Sequence, residues 1–244
     1  MSRLKFDDKN HLYLLDNKPI TGTTTILKVL AKPVLISWAV GMAVDYIKEN
    51  APAETLKGLE HRVVSSIILN EARKAHTRQR DKAGNIGKLV HSAISEFLKK
   101  GIEPKLDKQG MKMFENFRKW MTDNKVKFLA SEKQVYSEKY WFAGTYDFLC
   151  ETDNQIFLGD IKTSSDIYPE NFAQCAAYRI CEEEMNPGQR IDGQIIVNIT
   201  KKGKLKVEKD FDYIGFKNMF LSCLMIYRQL ENYKKKGGDK NETE

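Results

Sequence analysis

The succession of hydrophobic patterns predicts an α/β fold: a mixed sheet flanked by helices, with a helical addition at the N-terminal end. Two observations carry this. Up to about Asn124, apolar residues recur mainly at helical spacing. After Asn124 three strand-like runs follow one another directly, and then come a helix, two strands and a closing helix. No internal repeat or interdomain linker interrupts the pattern, so one compact domain is expected. Within it, 1–83 is the helical addition packed on the core, 84–235 the core and 236–244 a flexible tail.

Each element has its own signal. His11 to Ile20 reads as a small hairpin around Asp16-Asn17. Thr21-Gly-Thr-Thr-Thr25 leads into Ile26 to Leu30, and Thr before an apolar run is a helix N-cap signal. Pro33 opens a helix to about Glu49, with Leu35, Trp38, Met42 and Tyr46 at helical spacing. A third helix is predicted from about Glu54 to Arg80, broken by Ala83-Gly84-Asn85. Another runs from Ile86 to a Gly101 cap, and the next from Lys108 to Asn124. Val126 to Ser137, Tyr140 to Glu151 and Gln155 to Lys162 read as strands, the last two joined by an Asp153-Asn154 turn. Pro169 to Glu184 reads as a helix with Pro in its first turn. Arg190 to Thr200 and Lys204 to Asp210 are strands, and Tyr213 to Lys234 is the last helix.

Composition narrows the function classes. The 244 residues include 12 Phe, 10 Tyr and 3 Trp and are 41% hydrophobic, which excludes a disordered chain. The four cysteines (Cys150, Cys175, Cys181, Cys223) form no CxxC pair, so neither a zinc ribbon nor a disulfide framework is expected. The opening residues lack an apolar signal region, and the stretch from Pro33 to Val44 is too short to span a bilayer. A cytoplasmic protein with no membrane partner is expected. The 40 Lys+Arg exceed the 33 Asp+Glu, a net charge of +7. That excess permits a nucleic-acid partner, but lysine also serves as ordinary surface.

Three short features could do chemistry. The first is Gly144-Thr-Tyr-Asp147, then twelve residues, then Asp160-Ile161-Lys162. Side chains alternate along a strand, so Asp160 and Lys162 share a face, and the Asp153-Asn154 turn brings Asp147 alongside. Two carboxylates beside a lysine suit a hard divalent cation and a phosphate-bearing substrate. The same residues also fit an ordinary surface ion pair on an edge strand. The second feature is Gln174 and Tyr178, which share a helix face at i and i+4. They fit equally an amphipathic helix with a half-buried tyrosine. The third is His91, on a helical face with Ile94, Ser95 and Leu98, at the edge of the core. A histidine there is a metal ligand or a hydrogen-bonded core residue. A basic run, Arg73, Lys74, Arg78, Arg80, Lys82 and Lys88, precedes it.

In this order, Gly87 to His91, Gly144-Thr-Tyr-Asp147, Asp160-Ile-Lys162-Thr163 and Gln174 to Tyr178 resemble the RecB-type branch of the PD-(D/E)XK nuclease superfamily. The resemblance covers roughly residues 84 to 184. Thr21 to Leu27 with Lys32-Pro33 and Trp38 resembles the opening of phage-encoded members and of the mitochondrial genome-maintenance exonucleases. The resemblance implies a restriction-endonuclease-like αβββαβ core and a DNA exonuclease dependent on Mg²⁺ or Mn²⁺. Such an enzyme would serve DNA replication, recombination or repair in a bacterial or phage-infected cell. Asp147, Asp160, His91 and the Ile161 carbonyl would hold the metal, and Lys162 would position the attacking water. Gln174 and Tyr178 would brace the site, and Glu132 sits where relatives often carry a Glu. The substrate would be single-stranded DNA or a duplex end. Arg73, Lys74, Arg78, Arg80 and Lys88 would track its phosphates, with Thr163, Ser164, Thr23, Thr24 and Thr25 as further DNA contacts. No iron–sulfur cluster is expected, since no clustered cysteines flank the core. No Walker-type loop occurs, so any helicase, like any single-strand-binding protein, would be a separate partner. Structure-selective endonuclease, non-catalytic DNA-binding module and small-phosphoester hydrolase are the alternatives.

Overall fold

The computed structural model describes residues 3–7, 10, 12–30, 33–51, 53–56, 59–62 and 65–238. His11, Lys32 and residues 239–244 of the expected tail lie outside the described residues. The chain forms two compact units: Met1–Leu30 with Leu89–Glu244, and Ala31–Lys88.

The first unit opens with an antiparallel meander, β1 (Leu4–Asp7), β2 (Leu12–Leu15) and β3 (Lys18–Gly22). Asp16 and Asn17 both take positive φ (48° and 62°), the geometry that a tight two-residue hairpin demands. Leu4, Leu15 and Ile20 are buried between these strands. Residues 4–7, 12–15 and 18–22 are therefore strands, not part of the expected helical addition, because their apolar residues are spaced for a pleat around an Asp-Asn turn. Helix α1 (Thr23–Leu27) follows. Its N-cap is Gly22 and not a threonine, for Thr23 Oγ1 donates instead to Ala143 O on another strand.

The second unit holds α2 (Pro33–Asn50), a hairpin of β4 (Ala53–Leu56) and β5 (Leu59–Arg62), and the start of α3 (Ser66–Lys100). Two expectations are corrected here. The stretch from Glu54 is a hairpin, not helix; Pro52 and Gly58 in the sequence disfavour a helix. Conversely α3 continues through Ala83-Gly84-Asn85 without a break. One glycine costs about 1 kcal/mol, too little to stop a 35-residue amphipathic helix.

The rest of the first unit follows the predicted order. It contains α4 (Lys108–Asp123), β6 (Lys127–Ser137), β7 (Phe142–Thr152), β8 (Gln155–Lys162), α5 (Pro169–Met185), β9 (Gly193–Ile199), β10 (Leu205–Asp210) and α6 (Tyr213–Gly238). Asp107 caps α4 by accepting from Gly110 N–H at 2.7 Å, and Pro169 sits in the first turn of α5.

These strands make one mixed eight-stranded sheet in the order β1-β2-β3-β7-β8-β9-β10, with β6 also on β7. Helices α1, α5 and α6 bury one face around Ile26, Phe142, Leu158, Phe172, Ile196 and Phe220. On the other side α4 brings Phe117 and Trp120 against Phe128 and Phe148, ring centroids 5.3–6.4 Å apart. Fully burying each such ring contributes about 2–3 kcal/mol. Among the described residues no helix is long and apolar enough to cross a membrane.

One feature of the sheet positions the chemistry. β6 runs along one edge of β7, while the other edge is shared. There β3 pairs in parallel with Phe142 and Ala143, and β8 pairs antiparallel with Phe148 to Thr152. Residues 144–147, the Gly-Thr-Tyr-Asp motif, lie between the two pairings.

Candidate active site

The first layer of the site comes from alternation along β8. Asp160 and Lys162 point to the α5 side, and Lys162 Nζ lies 2.6 Å from Asp160 Oδ2. Asp160 is only 2% exposed, so its charge has left water and needs partners. Helix α5 supplies them. Gln174 Nε2 donates to Asp160 Oδ1 at 3.1 Å and to Tyr178 Oη at 2.7 Å, while Gln174 Oε1 accepts from Lys162 at 3.0 Å. The i, i+4 spacing of Gln174 and Tyr178 makes this chain continuous on one helix face.

The second layer comes from β7 and α3. Asp147 Oδ2 accepts the backbone N–H of Ile161 at 2.6 Å, which locks the carboxylate against β8. His91 Nδ1 lies 3.5 Å from the same oxygen. Glu132 on β6 lies between Ser131 and Lys133, which pair with Phe148 and Tyr146 on either side of Asp147, and it has a left-handed backbone, φ 48°. A non-glycine residue there is strained, and such strain gathers at functional sites.

Electrostatics follow from burial. Burial pushes the Asp160 carboxyl up to about 6, opposed by the Lys162 charge and reinforced by Asp147. Burial alone would lower Lys162, but Asp160 and Asp147 outweigh it and hold the ammonium above its ordinary value. Glu132 is raised by burial and by Asp147. Tyr178 is raised well above the usual phenol range, mainly by burial, and stays neutral.

Asp147, Asp160, Lys162, Gln174, Tyr178 and His91 thus share one neighbourhood, with the Ile161 backbone between the two carboxylates. Among the described residues no three His, Cys, Asp or Glu side chains are gathered as a ready metal cage. Lys162, not another ligand, lies against Asp160 Oδ2, an oxygen left without a directed hydrogen bond. Two carboxylates and an imidazole are nevertheless an oxygen-rich set of the kind a hard divalent cation takes.

The expected DNA contacts separate. Thr23 is 1% exposed and committed to Ala143 O, so it is removed from any DNA surface. Thr24 is exposed, and Thr25, Thr163 and Ser164 are half-buried. Arg73, Lys74, Arg78, Arg80 and Lys88 are all exposed on α3. Of these, Arg78 is tied to Glu71 and covers the Tyr46 ring, Lys74 also reaches Glu71, and Arg80 pairs with Asp81.

Sequence reasoning missed one residue beside the motif, Tyr13. Tyr13 Oη shares a hydrogen bond with Thr145 Oγ1 at 3.0 Å, so the N-terminal meander reaches Gly144 to Asp147. Only the parallel β3–β7 pairing reveals this, and nothing local signals it. Gly144 also has a tertiary reason: a Cβ there would lie 2.3 Å from the Tyr178 ring. All four cysteines are buried free thiols. No family model matches the chain, and no curated protein matches it.

Proposed function

We propose that this chain is a divalent-metal-dependent DNA exonuclease with a PD-(D/E)XK core, hydrolysing phosphodiester bonds in bacterial or phage DNA replication, recombination or repair. The observation that carries the reading is the Asp160–Lys162–Gln174–Tyr178 chain placed beside Asp147 and His91. Asp147, Asp160 and His91 would hold Mg²⁺ or Mn²⁺. When bound, that cation supplies Lewis-acid stabilisation of negative charge on the phosphate.

The protein's own residues do the rest. Lys162 keeps its proton at neutral pH and directs an N–H at the attacking water or a phosphate oxygen. Gln174 fixes where that ammonium stands, because its Oε1 faces Lys162 while its Nε2 is held by Asp160 and Tyr178. The Ile161 N–H keeps Asp147 oriented, and His91 flanks it. Exposed basic residues on α3 would add a sequence-independent, salt-sensitive attraction for the DNA backbone.

The test is timed digestion of end-labelled single-stranded and duplex DNA with Mg²⁺ or Mn²⁺, alongside a closed circle. Release of nucleotides from linear DNA only, lost in Asp160→Ala and Lys162→Ala, is the expected result. No cleavage by the wild type, or cleavage untouched by these substitutions, overturns the reading. Cutting of the circle assigns an endonuclease instead.

A further inference from the structure

Strand β9 is mainly aliphatic but carries two amides, Gln194 and Asn198, the latter inside the run Ile195-Ile196-Val197-Asn198-Ile199. Asn198 is 1% exposed, and neither its Oδ1 nor its Nδ2 has a hydrogen-bond partner among the described residues. Asparagine is a poor strand former, and burying an unpaired amide is costly, so a branched aliphatic side chain would suit this position better. A polar side chain kept at such a cost calls for a partner.

The register offers two neighbours. In the parallel β8–β9 ladder Asn198 stands directly opposite Lys162, and in the antiparallel β9–β10 ladder opposite Lys206, whose exposed ammonium already pairs with Asp166 and Glu208. Side chains opposite each other share a face, which leaves Lys162 as the candidate partner. Gln194, four residues earlier on the same face, is also buried and unpaired, but it stands opposite Leu158 and Asp210, away from the Lys162 ammonium. An ammonium has three N–H donors. Lys162 directs one at Gln174 Oε1 and lies against Asp160 Oδ2, leaving a third unassigned.

Asp160 Oδ2 lies 2.6 Å from Lys162, and a divalent cation on Asp160 would repel that ammonium. On the nuclease reading proposed above, on which this rests, Lys162 then loses part of its hold on Asp160 and a further acceptor beside it matters. We propose that Asn198 is the positioning residue for Lys162: its carboxamide oxygen takes the ammonium's third N–H, directly or through one buried water, when Asp160 is engaged by a cation. Asn198 touches no reacting atom. It acts through Lys162.

The test uses Asn198→Val, Lys162→Met and the double variant. Asn198→Val should fold, since valine suits the strand, and should melt higher than wild type without metal. With Mn²⁺ its kcat on DNA should fall about tenfold, with KM within about twofold. A thermal-denaturation cycle over the four proteins in Mn²⁺ should show coupling between positions 162 and 198. Unchanged kcat, no coupling in the denaturation cycle, or a lowered melting temperature without metal would each overturn the positioning role. If the wild type cleaves no DNA, the nuclease reading fails on its own, and the coupling in the denaturation cycle decides Asn198: present supports the role, absent ends it.

Discussion

Gln174 cannot turn its amide over without setting an NH₂ against the Lys162 ammonium and a carbonyl oxygen against the Asp160 carboxylate. Its orientation is thus dictated by charge on both sides, and Lys162 is held in one place. The same crowding makes Asp160 pH-sensitive. Its carboxyl stands at about 6 against an ordinary value of 3.8, because burial disfavours the ion. A carboxyl raised on folding binds more protons in the native state than in the unfolded one over that interval. The stabilisation it contributes is therefore full below the unfolded value and is lost as pH rises through the folded one. Relative to Asp160→Asn, wild type should lose of order 2 kcal/mol of stability between about pH 4 and pH 7, and little further above. Urea midpoints for both proteins across that range are the check, and a flat difference would contradict it. Cleavage should rise over the upper part of the same range, as Asp160 becomes an anion.

At the scale of the element, the β6–β7 ladder bears the strain. Glu132 holds φ at 48° between Ser131 and Lys133, which pair with Phe148 and Tyr146 on either side of Asp147, and its carboxyl is pushed up by burial and by Asp147. Both effects cost stability. Glu132→Gly removes them together and should stabilise the protein by about 1 kcal/mol, partly offset by the greater freedom of glycine in the unfolded chain. If that backbone bend also aims Asp147, the variant will melt higher yet cleave more slowly. A lower melting temperature would show that Glu132 holds the ladder instead of straining it. Gly159 illustrates the opposite demand on the neighbouring strand: a Cβ there would lie 2.0 Å from the Phe148 ring, so the aromatic packing beneath the site requires its absence.

For the molecule as a whole, net charge and its placement differ in meaning. Arg73 is exposed on α3, whereas Arg78 covers the Tyr46 ring and is tied to Glu71 within its own unit. If DNA is the substrate, Arg73→Ala should reduce the magnitude of the log–log salt slope of binding by about one, with little change in stability. Arg78→Ala should lower stability through lost packing. Fluorescence anisotropy over a salt series, with thermal melts of the same proteins, separates these effects. Equal salt slopes for wild type and Arg73→Ala would take Arg73 off the DNA path.

The strands, helices and turns from Lys108 onward were legible in the sequence, because period-two and helical patterns are local and Asp153-Asn154 and Pro169 punctuate them. The face shared by Asp160 and Lys162, and that shared by Gln174 and Tyr178, followed from spacing alone. Other features had no local mark. The meander of residues 4–22 joins the sheet only through its parallel pairing with β7, a contact made more than a hundred residues away. Glycine at 84 could not say whether a helix stops, since the cost of one glycine is settled by the amphipathic length on either side. Asn198 stood in the sequence as one polar residue in an aliphatic run, but its neighbour Lys162 is chosen by β8–β9 register. Periodicity thus determined which residues face together within an element. Only tertiary packing decided which elements meet and what each buried charge finds there, because pairing register and burial depend on the whole chain.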